Sequence, residues 1–441
     1  MILTGNNSDG MSLFAEEFRT EINEIAKKTK DPSLASEQQL PISYLTTFLP
    51  LDYMNGMRVT NEMYTEDKAM IYDSIGLSAG SINMFIGPPG CGKSTFAIQA
   101  ATAITQRFKN SVILHEDLET ATSKSRIRTI SGWNSRHIQN KYIIRDEGIS
   151  TDSFHKRVQV HCEQKLKLLK ERPEDVTYFT GLIDIYGKPV YRLIPTVVIL
   201  DSLPLLNPLG ITKEEELAGN MSAAQVAKLN KQVFSRLTPL LKAANVLLFV
   251  INHINQNISI NMFQPAKAQI NYLKQNESLP GGTAALYLAN NIFKFSPSTK
   301  LTKDKDYGIA GFQSKVTIIK SRTNRAGQEV PMVYDQEYGF SKIWSAYQML
   351  KDNGLVRGSG AWFYFEGMPS MKFQQKNLLS KLEDSEKLRR HFRDLVEYAG
   401  TECLSGLSKV KKEMTEDEIG EALASSIMKD MEEGIWTPKT A

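Results

Sequence analysis

Apolar residues along this 441-residue chain fall into two kinds of run. Some are short and continuous: INMFIG at 82–87, SVILHED at 111–117, VVIL at 197–200, NVLLFVINH at 245–253 and VTIIK at 316–320. Others recur every three or four positions, at about 94–104, 153–171 and 221–244, and in SLFAEEFRTEINEIAKKTK at 12–30, where Phe14, Phe18, Ile22 and Ile25 share one stripe. The first kind predicts buried strands and the second amphipathic helices. Their alternation predicts an α/β fold with a mostly parallel sheet covered on both faces. TGLIDIYGKPVYRLIP at 180–195 predicts a hairpin around Gly187, Lys188 and Pro189. A polar stretch after Pro32 separates the first helix from LPISYLTTFLPLDYMNGMRV at 40–59, which starts the main domain. There is no internal repeat and no low-complexity tract.

Composition changes this picture little. Hydrophobic residues make up 41% and charged residues 23%, ordinary for a soluble globular protein. No apolar run approaches the length that spans a bilayer, and MILTGNNSDGMSLF has no basic region followed by an apolar core, so neither a membrane nor secretion is expected. Cys91, Cys162 and Cys403 are far apart, with neither disulfide-framework nor metal-ligand spacing, which fits a reducing cytosolic setting. Charge is uneven. From Thr401 onward five Lys and nine Asp or Glu give −4, which leaves +8 of the overall +4 for residues 1–400. A basic body with an acidic tail is compatible with a polyanionic partner, although for charge alone an ordinary solvated surface with a disordered end is the better account.

The stretch FIGPPGCGKSTFAIQA at 85–100 carries the clearest chemistry. Gly87, Gly90, Gly92, Lys93 and Ser94 fill G-x-x-x-x-G-K-[ST] between an apolar strand and a helix, the context this motif needs. Such a loop turns backbone N–H groups toward phosphate oxygens, and the following helix start adds to the attraction. ATP and Mg2+ are the implied cofactors. Gly87, Pro88, Pro89, Gly90, Cys91, Gly92, Lys93, Ser94 and Thr95 form the cradle, and Arg126 is added to the nucleotide contacts. Lys93 would reach the β- and γ-phosphates and Ser94 would hold the metal. Cys91 reads as a small filler, since a lone thiol with no evident base is usually inert. Asp201, closing VVILD, fits the second metal ligand, a role compatible with capping a helix. Hydrolysis needs a carboxylate beside the water, and Glu116, Asp117 and Glu119 at the end of the next strand are the candidates.

The order GPPGCGKST, HEDLE, VVILDSLPLL, LLFVINHIN, PGGTAALYLANNIF, VTIIKSRT resembles RecA-type recombinases, most of all the bacteriophage UvsX branch. GSGAWFYFEGMPSMKFQQKNLLSKL, from Gly358 to Leu382, is similar to the RecA C-terminal segment, and the likeness runs from about Ile42 to about Tyr398. The resemblance implies a RecA-like P-loop ATPase core at 41–343, a helical oligomerisation arm at 1–40, a small C-terminal α+β domain at 344–400 and an acidic tail at 401–441. It implies Glu119 as the water-activating acid. His253 falls where bacterial RecA has a Gln that senses the γ-phosphate. Lys320 and Arg322 fall where the family reaches across to the neighbour's phosphates; otherwise they read as exposed edge-strand cations.

Two segments, 208–220 and 255–280, would line the filament axis and touch DNA. Glu214, Glu215 and Glu216 make the first acidic, so the named contacts are Phe263, Lys267 and Lys274, with Gly281 and Gly282. The span between Glu119 and Asp201 is longer than in bacterial RecA. The implied activity is DNA-dependent ATP hydrolysis by a helical filament that pairs and exchanges strands. The implied partners are single- and double-stranded DNA, other copies of the chain, a single-strand-binding protein and a loader. The implied setting is the cytoplasm of a bacterium or a phage-infected cell. A ring-forming RecA-fold helicase or a nucleotide-regulated structural filament would share the cradle, and a helicase has no need of the segment 358–382.

Overall fold

Every side chain of the strand Ile82–Gly87 (β1) is buried, which places this strand at the centre of a sheet covered on both sides. The computed structural model describes residues 40–61, 70–183, 187–208, 222–256, 271–280, 284–303 and 307–405. The arm stripe at 14–25, the segment 209–221 and the tail beyond 405 lie outside them. After β1 come the helix Lys93–Thr105 (α1), the strands Ile113–Asp117 (β2) and Tyr142–Arg145 (β3), the helices Lys124–Ser131 (α2) and Thr151–Glu171 (α3), and the strand Thr196–Asp201 (β4). The helix Ser222–Ala244 (α4) leads to Val246–His253 (β5), Asn291–Leu301 (β6), Gly311–Lys320 (β7), Glu329–Asp335 (β8) and Gly339–Ser341 (β9).

Among the described residues these nine strands form one sheet in the order β9-β8-β7-β6-β1-β5-β4-β2-β3. From β6 to β3 every pairing is parallel, while β6 to β9 pair antiparallel. The α/β class and the RecA-like core are as the sequence indicates. The sheet is mostly parallel, as expected, and its antiparallel strands include VTIIK, whose continuous apolar run records burial and not direction.

The period of two along β1 divides the core. Ile82, Met84 and Ile86 face α3 and α4, packing with Phe154, Val198, Phe234 and Leu237. Phe85 faces the other way, into an aromatic stack with Phe96 of α1 and Phe249, each at 5.2 Å. The phosphate loop is thus held between a strand and a helix, each packed on the core.

The hairpin is observed as Thr177–Ile183 paired with Pro189–Leu193. Tyr178 packs inward on Phe108 at 4.7 Å, while Phe179, Ile183 and Tyr191 point outward and are exposed. Beyond β9, the helices Lys342–Asp352 (α5), Leu378–Asp384 (α6) and Glu386–Thr401 (α7) and the hairpin Val356–Ser359/Trp362–Phe365 share a core built on Trp344, Tyr347, Phe365, Phe373 and Phe392. The segment Gly358–Leu382 supplies most of that hairpin together with α6. No helix among the described residues is long and apolar enough to cross a membrane.

Candidate active site

The loop Gly87–Gly92 leaves β1 at its carboxyl end, the side of a parallel sheet where ligands sit. Gly92 precedes α1 with φ +88°, and a Cβ there would meet the Phe340 ring at 2.8 Å. Gly90 has φ +72° and opens on free space. No side chain caps α1, so its first N–H groups remain available to an anion. Lys93 lies buried inside the loop and donates to the Gly87 and Pro88 carbonyls at 3.0 and 2.8 Å. Cys91 is fully buried and its thiol is pushed up by that burial, as suits a filler. Pro88 and Pro89 are exposed on the outer limb, and Thr95 is half-buried. Arg126 fastens the β8–β9 turn beside the loop, donating to the Glu337 carbonyl at 2.6 Å and to the Tyr334 hydroxyl at 3.2 Å.

Asp201, at the end of β4, sits in register with Asp117 of β2 and lies beside the Ser94 hydroxyl. Its Oδ1 and that of Asp117 are buried without a partner among the described residues. Burial, with Glu119 and Asp117 adding repulsion and Ser94 and Lys93 opposing, raises Asp201 to about 7. A buried, partnerless carboxylate beside a hydroxyl at the mouth of a phosphate loop fits a hard divalent cation. His115 lies with them, ligand atoms within 4.8 Å of one another; burial lowers its ring to about 4 and keeps it neutral, and its Nδ1 is engaged with the Tyr142 hydroxyl at 2.9 Å. The oxygen donors suit Mg2+ and the imidazole does not.

The three candidate acids separate cleanly. Glu116 is buried in an ion pair with Arg157 of α3, with Nε to Oε1 at 2.7 Å, and is not free to act. Asp117 accepts from the Thr122 amide at 2.8 Å and turns toward Asp201. Glu119 sits on a turn pinned across the end of β4 by the Leu118 and Glu119 amides, which donate to the Asp201 carbonyl at 2.6 and 3.3 Å. Its Oε1 receives a hydrogen bond from His253 Nε2 at 2.9 Å, and both side chains are partly exposed. The structure therefore brings Lys93, Ser94, Asp201, Glu119 and His253 to one end of the sheet.

His253 also begins the second candidate DNA segment. The neighbouring Asn252 donates to the Pro280 carbonyl at 2.9 Å, and Asn255–Gln256 pairs with Glu277–Ser278. Glu277 reaches into the sheet to Lys294 of β6 at 2.6 Å. Burial works against its charge, but the bonds from Lys294 and Lys274 prevail and hold its carboxyl below the usual range. Lys274 is exposed on this stem. Phe263, Lys267, Gly281 and Gly282 lie outside the described residues.

Lys320 and Arg322 are elsewhere. Lys320 is in register with Ile292, and Ile292 with Met84, so it lies level with the first half of β1, two strands away. That is about 10 Å short of Gly87 along the strand and about 10 Å to the side, with Arg322 beyond it. Lys320 donates to the Leu286 and Tyr287 carbonyls at 2.7 and 2.8 Å, and Arg322 to the Tyr287 carbonyl at 2.9 Å. Burial, with Arg322 adding repulsion, lowers Lys320 to about 8. They are not the edge-strand cations of the simpler reading: β7 lies between β6 and β8, and the pair caps the helix Ala284–Leu288.

Fold and site together define a P-loop nucleotide-binding protein with a RecA-like core. No family model matches the chain. It is similar to proteins named RecA. It is 24% identical over 295 residues to that of Mannheimia haemolytica, covering 66% of this chain and 66% of that protein. It is 24% identical over 357 residues to that of Haemophilus ducreyi, covering 77% and 81%. It is 23% identical over 313 residues to that of Staphylococcus epidermidis, covering 69% and 74%.

Proposed function

We propose that this chain is an ATP-dependent DNA recombinase of the RecA type, in the UvsX branch. In this reading it assembles head to tail on single-stranded DNA and pairs and exchanges homologous strands in recombination, repair and recombination-dependent replication. The observation that carries the reading is the separation of Lys320 and Arg322 from the phosphate loop and its acids along the sheet. One end holds Lys93, Ser94, Asp201 and Glu119; the other holds Lys320 and Arg322, out of reach of the same subunit's loop. Stacking two copies head to tail would bring the two sets together.

Bound ATP supplies the phosphoanhydride bond that is broken. Lys93 would exchange loop carbonyls for phosphate oxygens, and Ser94 and Asp201 would hold Mg2+. Glu119 Oε accepts a proton from the attacking water. Arg322 and Lys320 of the adjoining copy add positive charge where negative charge develops. His253 and Asn252 tie this chemistry to both ends of the segment 255–280, which with 208–220 faces the DNA. A single-strand-binding protein and a loader are the expected accessory partners, in the cytoplasm of a bacterium or a phage-infected cell.

Electron micrographs with single-stranded DNA and ATP test the reading. A helical filament is expected. A closed ring would favour a translocating helicase, and filaments independent of DNA would favour a structural role.

A further inference from the structure

Between Lys320 and Arg322 stands a residue with no charge to offer, and it is the most heavily bonded of the three. Ser321 Oγ lies 3.0 Å from Asn291 Oδ1 and 3.3 Å from Asn55 Oδ1. It also accepts the Thr323 and Asn324 amides at 3.2 and 3.0 Å, which closes the turn that follows β7. Asn291 and Asn55 are fully buried. Asn291 continues the chain by donating from Nδ2 to Oδ1 of Asn83, also fully buried, at 2.8 Å. Asn83 lies on β1, the strand that ends in the phosphate loop.

We propose that Ser321 is a positioning residue: through Asn291 and Asn83 it fixes the turn that presents Lys320 and Arg322 to the adjoining subunit, in register with the strand that carries this subunit's own phosphate loop. The proposal rests on the cross-subunit reading of those two cations. Lysine and arginine side chains both lose rotamer entropy when they are fixed, so a fixed backbone beneath them decides how much of their charge arrives in place. Misplacement by about 1 Å costs on the order of a hundredfold in rate. Polar side chains this deeply buried are retained at a cost unless every member is bonded, and here each one is bonded. The chain of amides gives the two ends of the sheet a common ruler.

The test uses Ser321→Ala in the full chain, which keeps both cations and removes the bonds of the hydroxyl. Ser321→Cys, close in shape and a weak donor, serves if the alanine protein does not fold. Affinity for a fluorescent ATP analogue should stay within about twofold of wild type, since Lys93 and Asp201 are untouched, while DNA-stimulated turnover falls about 10- to 100-fold. Mixing with Glu119→Gln subunits should then restore activity, because roughly a quarter of the junctions in a random head-to-tail assembly pair an intact turn with an intact glutamate. A merely destabilised subunit gains nothing from such a partner. Turnover within twofold of wild type overturns the proposal. So does a loss that mixing fails to repair while Arg322→Ala is repaired by the same partner. Failure of Arg322→Ala itself to recover sinks the cross-subunit reading beneath it.

Discussion

The two ends of the sheet are built on opposite principles. At the phosphate-loop end, buried groups lack partners among the described residues: Asp201 and Asp117 each carry an oxygen with none, and Lys93 is held by the carbonyls and the Cys91 sulfur of its own loop. At the Lys320–Arg322 end the cations are satisfied by a helix, and the turn beneath them is braced by buried amides. A group held away from water with nothing to bond is costly, and such costs collect where a ligand will later supply the partner. A braced and satisfied end is what a surface needs in order to act on something outside its own subunit. In the proposed reading one end would take the nucleotide and the other would face the adjoining subunit.

The sharpest way to break that contrast is to disable one end at a time. Arg322→Ala should lower DNA-stimulated turnover by about 10³-fold, the lower bound for an arginine supplied across an interface. Glu119→Gln should lower it by about 10²–10³-fold while nucleotide affinity is kept, because an amide is a poor base. The two losses should not be final: mixtures of the two proteins should be more active than either alone. If every mixture is as inactive as its parts, the two ends do not meet across a junction.

A smaller effect should appear in stability. The folded value of Asp201, about 7, lies above the ordinary 3.8. The protonated carboxyl is therefore favoured in the fold. That contribution is complete below the unfolded value and is lost as pH rises through about 7. Asp201→Asn removes the burden of an ionised carboxylate. Without nucleotide or Mg2+ the variant should unfold at a higher temperature than wild type, the gap growing from pH 5 to pH 7 and levelling above, at on the order of 1–3 kcal/mol. The same variant should bind Mg-ATP more weakly by about tenfold or more. A variant no more stable at pH 8 than wild type would show that Asp201 is not held at a cost.

Much of this was legible in the sequence, and the reason is range. The phosphate loop, the strand before it and the helix after it lie within some twenty residues, and each carries its own pattern. Asp201 was readable because a buried apolar strand ending in an acid beside such a loop has few other uses. Choosing Glu119 over Glu116 from spacing alone was not possible. Arg157, which occupies Glu116, is 41 residues away on a helix whose docking the pattern does not state. The bracing of Ser321 was equally hidden, since Asn291 and Asn83 are 208 residues apart and an asparagine in an apolar strand gives no sign of its partner. Which strands run antiparallel was not legible, because a continuous apolar run records burial and not direction. The charges of Lys320 and Arg322 were visible, but their satisfaction by the Leu286 and Tyr287 carbonyls was not.

The braced end can be probed by pH. Free Lys320 holds its proton only up to about 8, because burial and Arg322 both disfavour the charge. Pairing with a neighbour's polyphosphate requires that proton. Above pH 8 each further unit should therefore raise the apparent KM for ATP in assembled protein, by up to about tenfold. Lys320→Arg stays charged and should flatten the rise. An identical pH profile in the two proteins would place Lys320 outside the junction.

The smallest effect is expected where the phosphate-loop end meets the stem of the candidate DNA segment. Glu119 Oε1 receives a hydrogen bond from His253 Nε2, while His253 Nδ1 is buried without a partner among the described residues. The histidine thus contributes one donor and carries one unsatisfied atom. A glutamine at this position supplies an N–H donor of similar reach, so His253→Gln should keep turnover within about threefold. His253→Leu fills similar space and donates nothing. It leaves a carboxylate without a bond of the kind worth about 1.5–3 kcal/mol, and DNA-stimulated turnover should fall about tenfold. The informative quantity is the ratio of turnover with and without single-stranded DNA. Since Asn252, next in the chain, holds the far end of the segment through the Pro280 carbonyl, loss of the donor should lower that ratio and not the two rates alike. Equal losses with and without DNA would make the contact a support for Glu119 alone, and the coupling to the segment would then have to run through the Glu277–Lys294 pair.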